Sequence, residues 1–169
     1  MSVQEWNWMD SIKNKEMKKT VIFDLDGTLA LIDERRKIST RENGKLDWNI
    51  FFDPSNIELD KPNWPVIEMA KMLKKQGHLI VIFSGRSKAT KISTMEWLNQ
   101  FGVPFDVLKM RPTGNGFQFM PDDQLKQKWL DDLFPDKNSI LCVFDDRDKV
   151  VKMWRDNGLT CMQVAQGNF

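Results

Sequence analysis

Residues 21–28 read VIFDLDGT, an apolar run that closes on Asp24, Leu25, Asp26, Gly27 and Thr28. Val, Ile and Phe without polar alternation suit a strand covered on both faces, the environment of a parallel sheet. Three further runs have the same character, HLIVIFS (78–84), FDVLK (105–109) and SILCVFD (139–145), and a weaker fifth is TCMQVA (160–165). Helical spacing fills the intervals. Residues 65–76 put Val66, Met69, Ala70 and Leu73 on one stripe before Gly77, and residues 90–101 put Ile92, Met95 and Leu98 on one stripe before Gly102. Residues 122–134 and 148–157 repeat the pattern, the latter ending at Gly158. The alternation predicts an α/β protein: an open, doubly wound, Rossmann-like sheet of five mainly parallel strands, with right-handed crossovers and helices on both faces.

The bulk properties narrow the function. At 169 residues the chain fits a single domain, 1–169, with room for one insertion. Its 25 Lys and Arg against 24 Asp and Glu give a net charge of +1, which argues against a protein that coats nucleic acid and confines any such contact to a local patch. Cys142 and Cys161 have neither metal-ligand spacing nor a disulfide framework, and both fall in apolar strands where they pack as small hydrophobes. Residues 1–19, read as an N-terminal extension carrying Trp6 and Trp8, hold no apolar leader segment, and no later stretch approaches a membrane span. A cytoplasmic protein with no membrane contact is expected.

One interval breaks the alternation. From Thr28 to Trp64 there are 37 residues, against a usual connection of roughly 2–6 residues. An insertion here lies over the carboxyl ends of the strands, where open α/β sheets bind ligands, so residues 29–63 are expected to form a small cap. Residues 34–45 carry Arg35, Arg36, Lys37, Arg41 and Lys45 against Glu34 and Glu42, a local +3 able to attract a phosphodiester backbone. The same run also fits a solvated face. Trp48 and Trp64 fit either a base-stacking role or packing of the cap, whereas Trp97, Trp129 and Trp154 fall in helical patterns and read as core.

Carboxylates collect at strand ends: Asp24 and Asp26 at the first, Asp145, Asp146 and Asp148 at the fourth. Aspartates also serve turns and helix N-termini. Two such groups on one sheet edge repel unless a cation relieves them, and a hard divalent ion with oxygen ligands, most simply Mg²⁺, does so. Ser84-Gly85-Arg86 ends the second strand, where a hydroxyl, backbone N–H groups and a guanidinium suit phosphate, although Ser-Gly is equally a simple turn. Lys126 follows Asp122 by four residues, the spacing of a helical ion pair.

DLDGT, SGR, a lysine in the third crossover and the Asp145-Asp146 pair, in this order, resemble the four motifs of the haloacid dehalogenase superfamily of phosphohydrolases. The resemblance implies the fold of that superfamily and an aspartyl-phosphate mechanism. By that resemblance Asp24 would attack phosphorus, and Asp26 would protonate the leaving oxygen and then activate water. Ser84 and Lys126 would hold phosphate oxygens, with Thr28 and Gly85 in the same phosphate-binding set. Mg²⁺ would be held by the Asp24 carboxylate, the Asp26 carbonyl and Asp145 or Asp146.

Residues 21–169 also resemble the 3′-phosphatase domain of phage-type polynucleotide kinase/phosphatase, including the closing segment FDDRDKVVKMWRDNGLTCMQVAQGNF. This implies that Arg35 and Arg86 grip the scissile phosphate, that Asp122 orients Lys126, and that nucleic acid 3′ ends are the substrate, with a role in repair. Two features depart from that family. No GxxxxGK[ST] occurs, so no kinase domain is expected in this chain. Residues 110–121 carry a single arginine, Arg111, which puts substrate contacts from that connection in question. A small-molecule phosphatase such as a nucleotidase is the alternative. A phosphate-responsive receiver domain fits less well, because its paired acids lie at the first strand and its phosphorylated Asp at the third. A silent binding module would lack an acid that is present here.

Overall fold

The computed structural model describes residues 18–114 and 116–168. Most of the extension expected at residues 1–19 therefore lies outside the described residues. Five parallel strands form one sheet in the order β5-β4-β1-β6-β7. They are β1 (Thr20–Phe23), β4 (Leu79–Ser87), β5 (Val107–Arg111), β6 (Ile140–Asp145) and β7 (Cys161–Gln163). β1 is central and wholly buried, with Ile22 registered against Val81 on one side and Val143 on the other.

Alternate strand residues face opposite layers, as the pleat requires. Val21 and Phe23 join Ile80, Ile82 and Phe144 under α3 (Trp64–Lys75) and α4 (Lys91–Gln100). Ile22, Val81, Phe83 and Val143 face α5 (Asp122–Leu133) and α6 (Asp148–Asp156). Phe23 stacks on Phe144 at 4.6 Å, and Phe83 meets Trp129 edge-on at 5.2 Å. Trp97, Trp129, Trp154 and both cysteines are buried, as expected.

Two helical faces differ from the expected stripes. On α4 the buried residues are Thr94, Trp97 and Leu98, while Ile92 is 76% exposed. Trp97 sets that rotation, because its ring packs on Phe101 at 4.9 Å and its Nε1 donates to the Asp60 carbonyl at 2.9 Å. On α3 Ile67 replaces Met69 on the buried side.

The long interval folds onto the same core. A two-residue hairpin, β2 (Ala30–Leu31) with β3 (Lys61–Pro62), closes its base. Between them run α1 (Asp33–Ser39), α2 (Trp48–Phe51) and a 3-10 helix (Pro54–Leu59). Phe51 and Ile57 are buried in the layer that holds β1 and α3, with Leu46 and Phe52 against it. No helix among the described residues is long and apolar enough to cross a membrane.

Candidate active site

The topology puts β1 between β4 and β6, so DLDGT, SGR and Asp145-Asp146 emerge side by side at the carboxyl edge. Asp24 continues the pairing of β1, its N–H donating to the Phe144 carbonyl at 2.8 Å. Asp24, Asp145 and Asp146 are buried, and each offers a carboxylate oxygen within 4.8 Å of the other two. Lys126 reaches in from α5 and donates to Asp24 Oδ1 at 2.6 Å and Asp145 Oδ2 at 2.8 Å. Asp145 also accepts from Trp154 Nε1 at 3.1 Å and from the backbone N–H groups of Asp146 and Arg147 at 3.0 and 3.3 Å. Gly27, at φ +86°, makes the turn after Asp26, and a Cβ there would collide with the Asp146 carboxylate.

Burial and then, against the pull of Lys126, the charges of Asp145 and Asp146 raise the Asp24 carboxyl well above its ordinary range. Burial, with Asp145 second, pushes Asp146 up to about 6. Burial opposes charge on Lys126 too, but Asp145 and Asp24 together hold its ammonium above the usual value. Three carboxylates facing one ammonium form an electron-rich oxygen cage, and its donor set fits a hard divalent cation such as Mg²⁺.

Asp26 belongs to a different cluster. Its Oδ1 accepts from Arg35 Nη2 at 2.7 Å and from Arg86 Nε and Nη2 at 2.8 and 2.5 Å. Asp60 answers from the end of the insertion: Oδ1 takes Arg35 Nε at 2.8 Å, and Oδ2 takes Arg35 Nη2 at 2.9 Å and Arg86 Nη2 at 2.6 Å. Arg35 also lies over the Phe51 ring at 4.3 Å and donates to its carbonyl. Burial disfavours the Asp26 charge, yet Arg86 and Arg35 outweigh it and lower the pKa; Asp60 is pushed up to about 6 by burial despite the same arginines.

The SGR segment owes its shape to an irregularity. Ser84 registers with Met110 but Ser87 with Arg111, so Gly85 and Arg86 bulge out of the ladder and Arg86 is aimed inward. A Cβ on Gly85 would come within 2.7 Å of Asp122 Oδ1. Asp122, expected to orient Lys126, is instead engaged by Arg111 on Oδ1 and by Arg147 on Oδ2 at 2.9 Å, and it reaches Lys126 through charge. Thr28 is fully buried, and its Oγ1 has no partner among the described residues.

Two participants escaped sequence reasoning. Asp60 follows no motif, and its only signal is a place beside Lys61-Pro62 at the insertion's end. Arg111, the single arginine of the 110–121 connection, is a strut: it donates to the Gly85 carbonyl at 3.0 Å, to the Phe117 and Met120 carbonyls, and to Asp122. The basic run is also reorganised, with Arg35 buried and Arg41 paired to Asp47 at 2.8 Å. Trp48 is 57% exposed and stacks on Phe52.

The fold is that of the haloacid dehalogenase-like hydrolases; among solved structures a protein described as a phosphatase from Clostridium difficile superposes with a TM-score of 0.64, at 16% identity, covering 86% of this chain and 84% of that one. Residues 18–169 match the family model of the polynucleotide kinase PNKP phosphatase domain, and the chain belongs to that family and is a phosphatase. A chain in the Pnkp1/Rnl/Hen1 RNA repair complex is 31% identical with a TM-score of 0.72, covering 92% of this chain and 45% of that one. A protein of Autographa californica nuclear polyhedrosis virus that carries the name bifunctional polynucleotide kinase/RNA ligase is 32% identical over 144 residues, 82% of this chain and 18% of the viral protein. This chain thus spans less than half the length of either relative.

Proposed function

We propose that this phosphatase removes 3′-phosphate from polynucleotide ends with Mg²⁺ and a covalent aspartyl-phosphate. The observation that carries the reading is the division of the two motif aspartates: Asp24 beside Lys126 and two further acids, Asp26 beside two arginines. Asp24 is the nucleophile, and a carboxylate nucleophile splits one slow displacement into two. Lys126 screens it from the incoming dianion. Asp24, the Asp26 carbonyl and Asp146 would hold Mg²⁺, while Asp145, its oxygens taken by Lys126, Trp154 and backbone N–H groups, positions them. When bound, the cation would supply charge neutralisation on the phosphoryl oxygens.

Asp26, once it has taken up a proton from solvent, gives it to the leaving oxygen and then takes one from the attacking water. In the free protein Arg86 and Arg35 hold it ionised. A phosphate dianion that grips those arginines competes with Asp26 for their donors and brings negative charge beside it, so substrate binding itself raises the Asp26 pKa. Ser84, Gly85 and Thr28 line the phosphate position, and Asp122 acts on Lys126 through charge.

Residues 29–63 act as the cap of a single domain, with 1–19 as an extension. An RNA-repair role is favoured by the relatives, one named as an RNA ligase and one found in an RNA repair complex. The test is Mg²⁺-dependent phosphate release from a 3′-phosphorylated oligonucleotide, its 5′-phosphorylated isomer and a 3′-mononucleotide, with Asp24→Asn and EDTA as controls. Preference for the oligonucleotide 3′ end is expected. Equal or better turnover of the mononucleotide would make the enzyme a nucleotidase.

A further inference from the structure

The helix that follows the paired acids begins without a cap of its own. Its N-cap residue is Arg147, which makes no side-chain capping bond, whereas good N-caps are Ser, Thr, Asp or Asn. The first N–H groups of a helix need outside partners. Here the N–H of Asp148 donates to the Gly167 carbonyl at 2.8 Å, so a segment nineteen residues further along closes the end.

The same segment makes three more bonds to the turn. Val164 N–H donates to the Asp145 carbonyl at 3.1 Å. The Gln163 amide uses its Nε2 twice, on the Asp146 carbonyl at 2.9 Å and on Asp148 Oδ1 at 2.7 Å. Gly167 lies with its Cα directly on the backbone: a Cβ there would come within 2.6 Å of Arg147 Cα and closer still to the Asp146 carbonyl oxygen. Backbone atoms cannot rotate out of the way as a side chain can. Asp146 is therefore pinned on two sides, its carboxylate over Gly27 and its carbonyl under Gly167.

We infer that residues 163–167 are a brace that sets the Asp145–Asp146 turn for a divalent cation, with Gln163 and Gly167 as positioning residues. The inference rests on the reading above that Asp146 holds the cation and Asp145 positions it. Gln163 is exposed and contributes nothing to the core, so its bonds to the turn are its structural role. Partners that orient a metal ligand from behind cost about 10–100-fold in affinity when lost.

The test is Mn²⁺ binding followed by electron paramagnetic resonance, together with thermal unfolding in EDTA. Gln163→Ala is expected to weaken Mn²⁺ binding about 10-fold with an unchanged cation-free melting temperature, and Gly167→Ala to weaken it further. Gln166→Ala, exposed in the same segment, keeps wild-type affinity. Equal Mn²⁺ affinity in Gln163→Ala and wild type overturns the brace while leaving the cation site standing. So does a loss of affinity that only tracks a lower melting temperature. Absence of Mn²⁺ binding by the wild-type protein overturns both the brace and the cation reading.

Discussion

The two halves of the catalytic edge solve opposite electrostatic problems. Around Asp24, three carboxylates face one ammonium and the cluster carries excess negative charge. Around Asp26, two carboxylates face two guanidiniums and the account closes within the protein. On the proposed reading a cation completes the first half, whereas the second is already balanced and is opened by substrate. The difference explains why aspartates two residues apart in sequence shift in opposite directions, Asp24 up and Asp26 down.

Breaking the first half should have the largest effect on turnover. Asp24→Asn is expected to lower phosphate release by roughly 10⁴-fold or more. It should not lower the cation-free melting temperature, because it removes one charge from a cluster with too many of that sign. Breaking the second half should act on stability. Arg86→Ala leaves Asp26 and Asp60 to share Arg35, and stranding charge in a buried network costs about 3–5 kcal/mol, read as a lower urea midpoint. Completing the first half should have an intermediate effect: Mg²⁺ at a hundred times its Kd adds about 2.7 kcal/mol to wild type and much less to Asp146→Asn.

The smallest effect separates the halves by pH. Asp60 and Asp146 are both raised to about 6 in the fold. A carboxyl raised above its unfolded value near ~3.9 holds an extra proton in the folded state between the two values. Stability from these groups is thus fully present below about pH 4 and falls as pH rises to about 6. Asp26 is lowered and works in the other direction, its contribution vanishing as pH falls through its folded value. Urea midpoints between pH 4 and 7 should therefore show a decline that Mg²⁺ reduces through Asp146 and that Asp60→Asn reduces through the other half. A decline untouched by Asp60→Asn would mean that the arginines keep Asp60 ionised throughout.

Legibility in the sequence followed the distance over which each feature is determined. Strands showed themselves because burial on both faces demands continuous Val, Ile and Phe, as in β1 and β6. Motif acids showed themselves because each lies at the end of such a run. The face of α4 did not, since Trp97 is oriented by a bond to Asp60, 37 residues away. Asp60 and Arg111 did not either: both owe their roles to three-dimensional neighbours from several segments, and neither stands at a distinctive spacing. Arg35 was found, but its burial was not, because a basic run looks alike whether its members point outward or in.

The central place of β1 has a consequence for biosynthesis. Thr20 pairs with Ile140, 120 residues later in the chain. A ribosome adding about 5–20 residues per second needs roughly 6–24 s to cover that interval. During that time the strand that leads into Asp24 has no neighbour on one side, and such non-local pairing is intrinsically slow to form. The cluster of Asp24, Asp145 and Asp146 therefore assembles late, after the last two of these acids have been made.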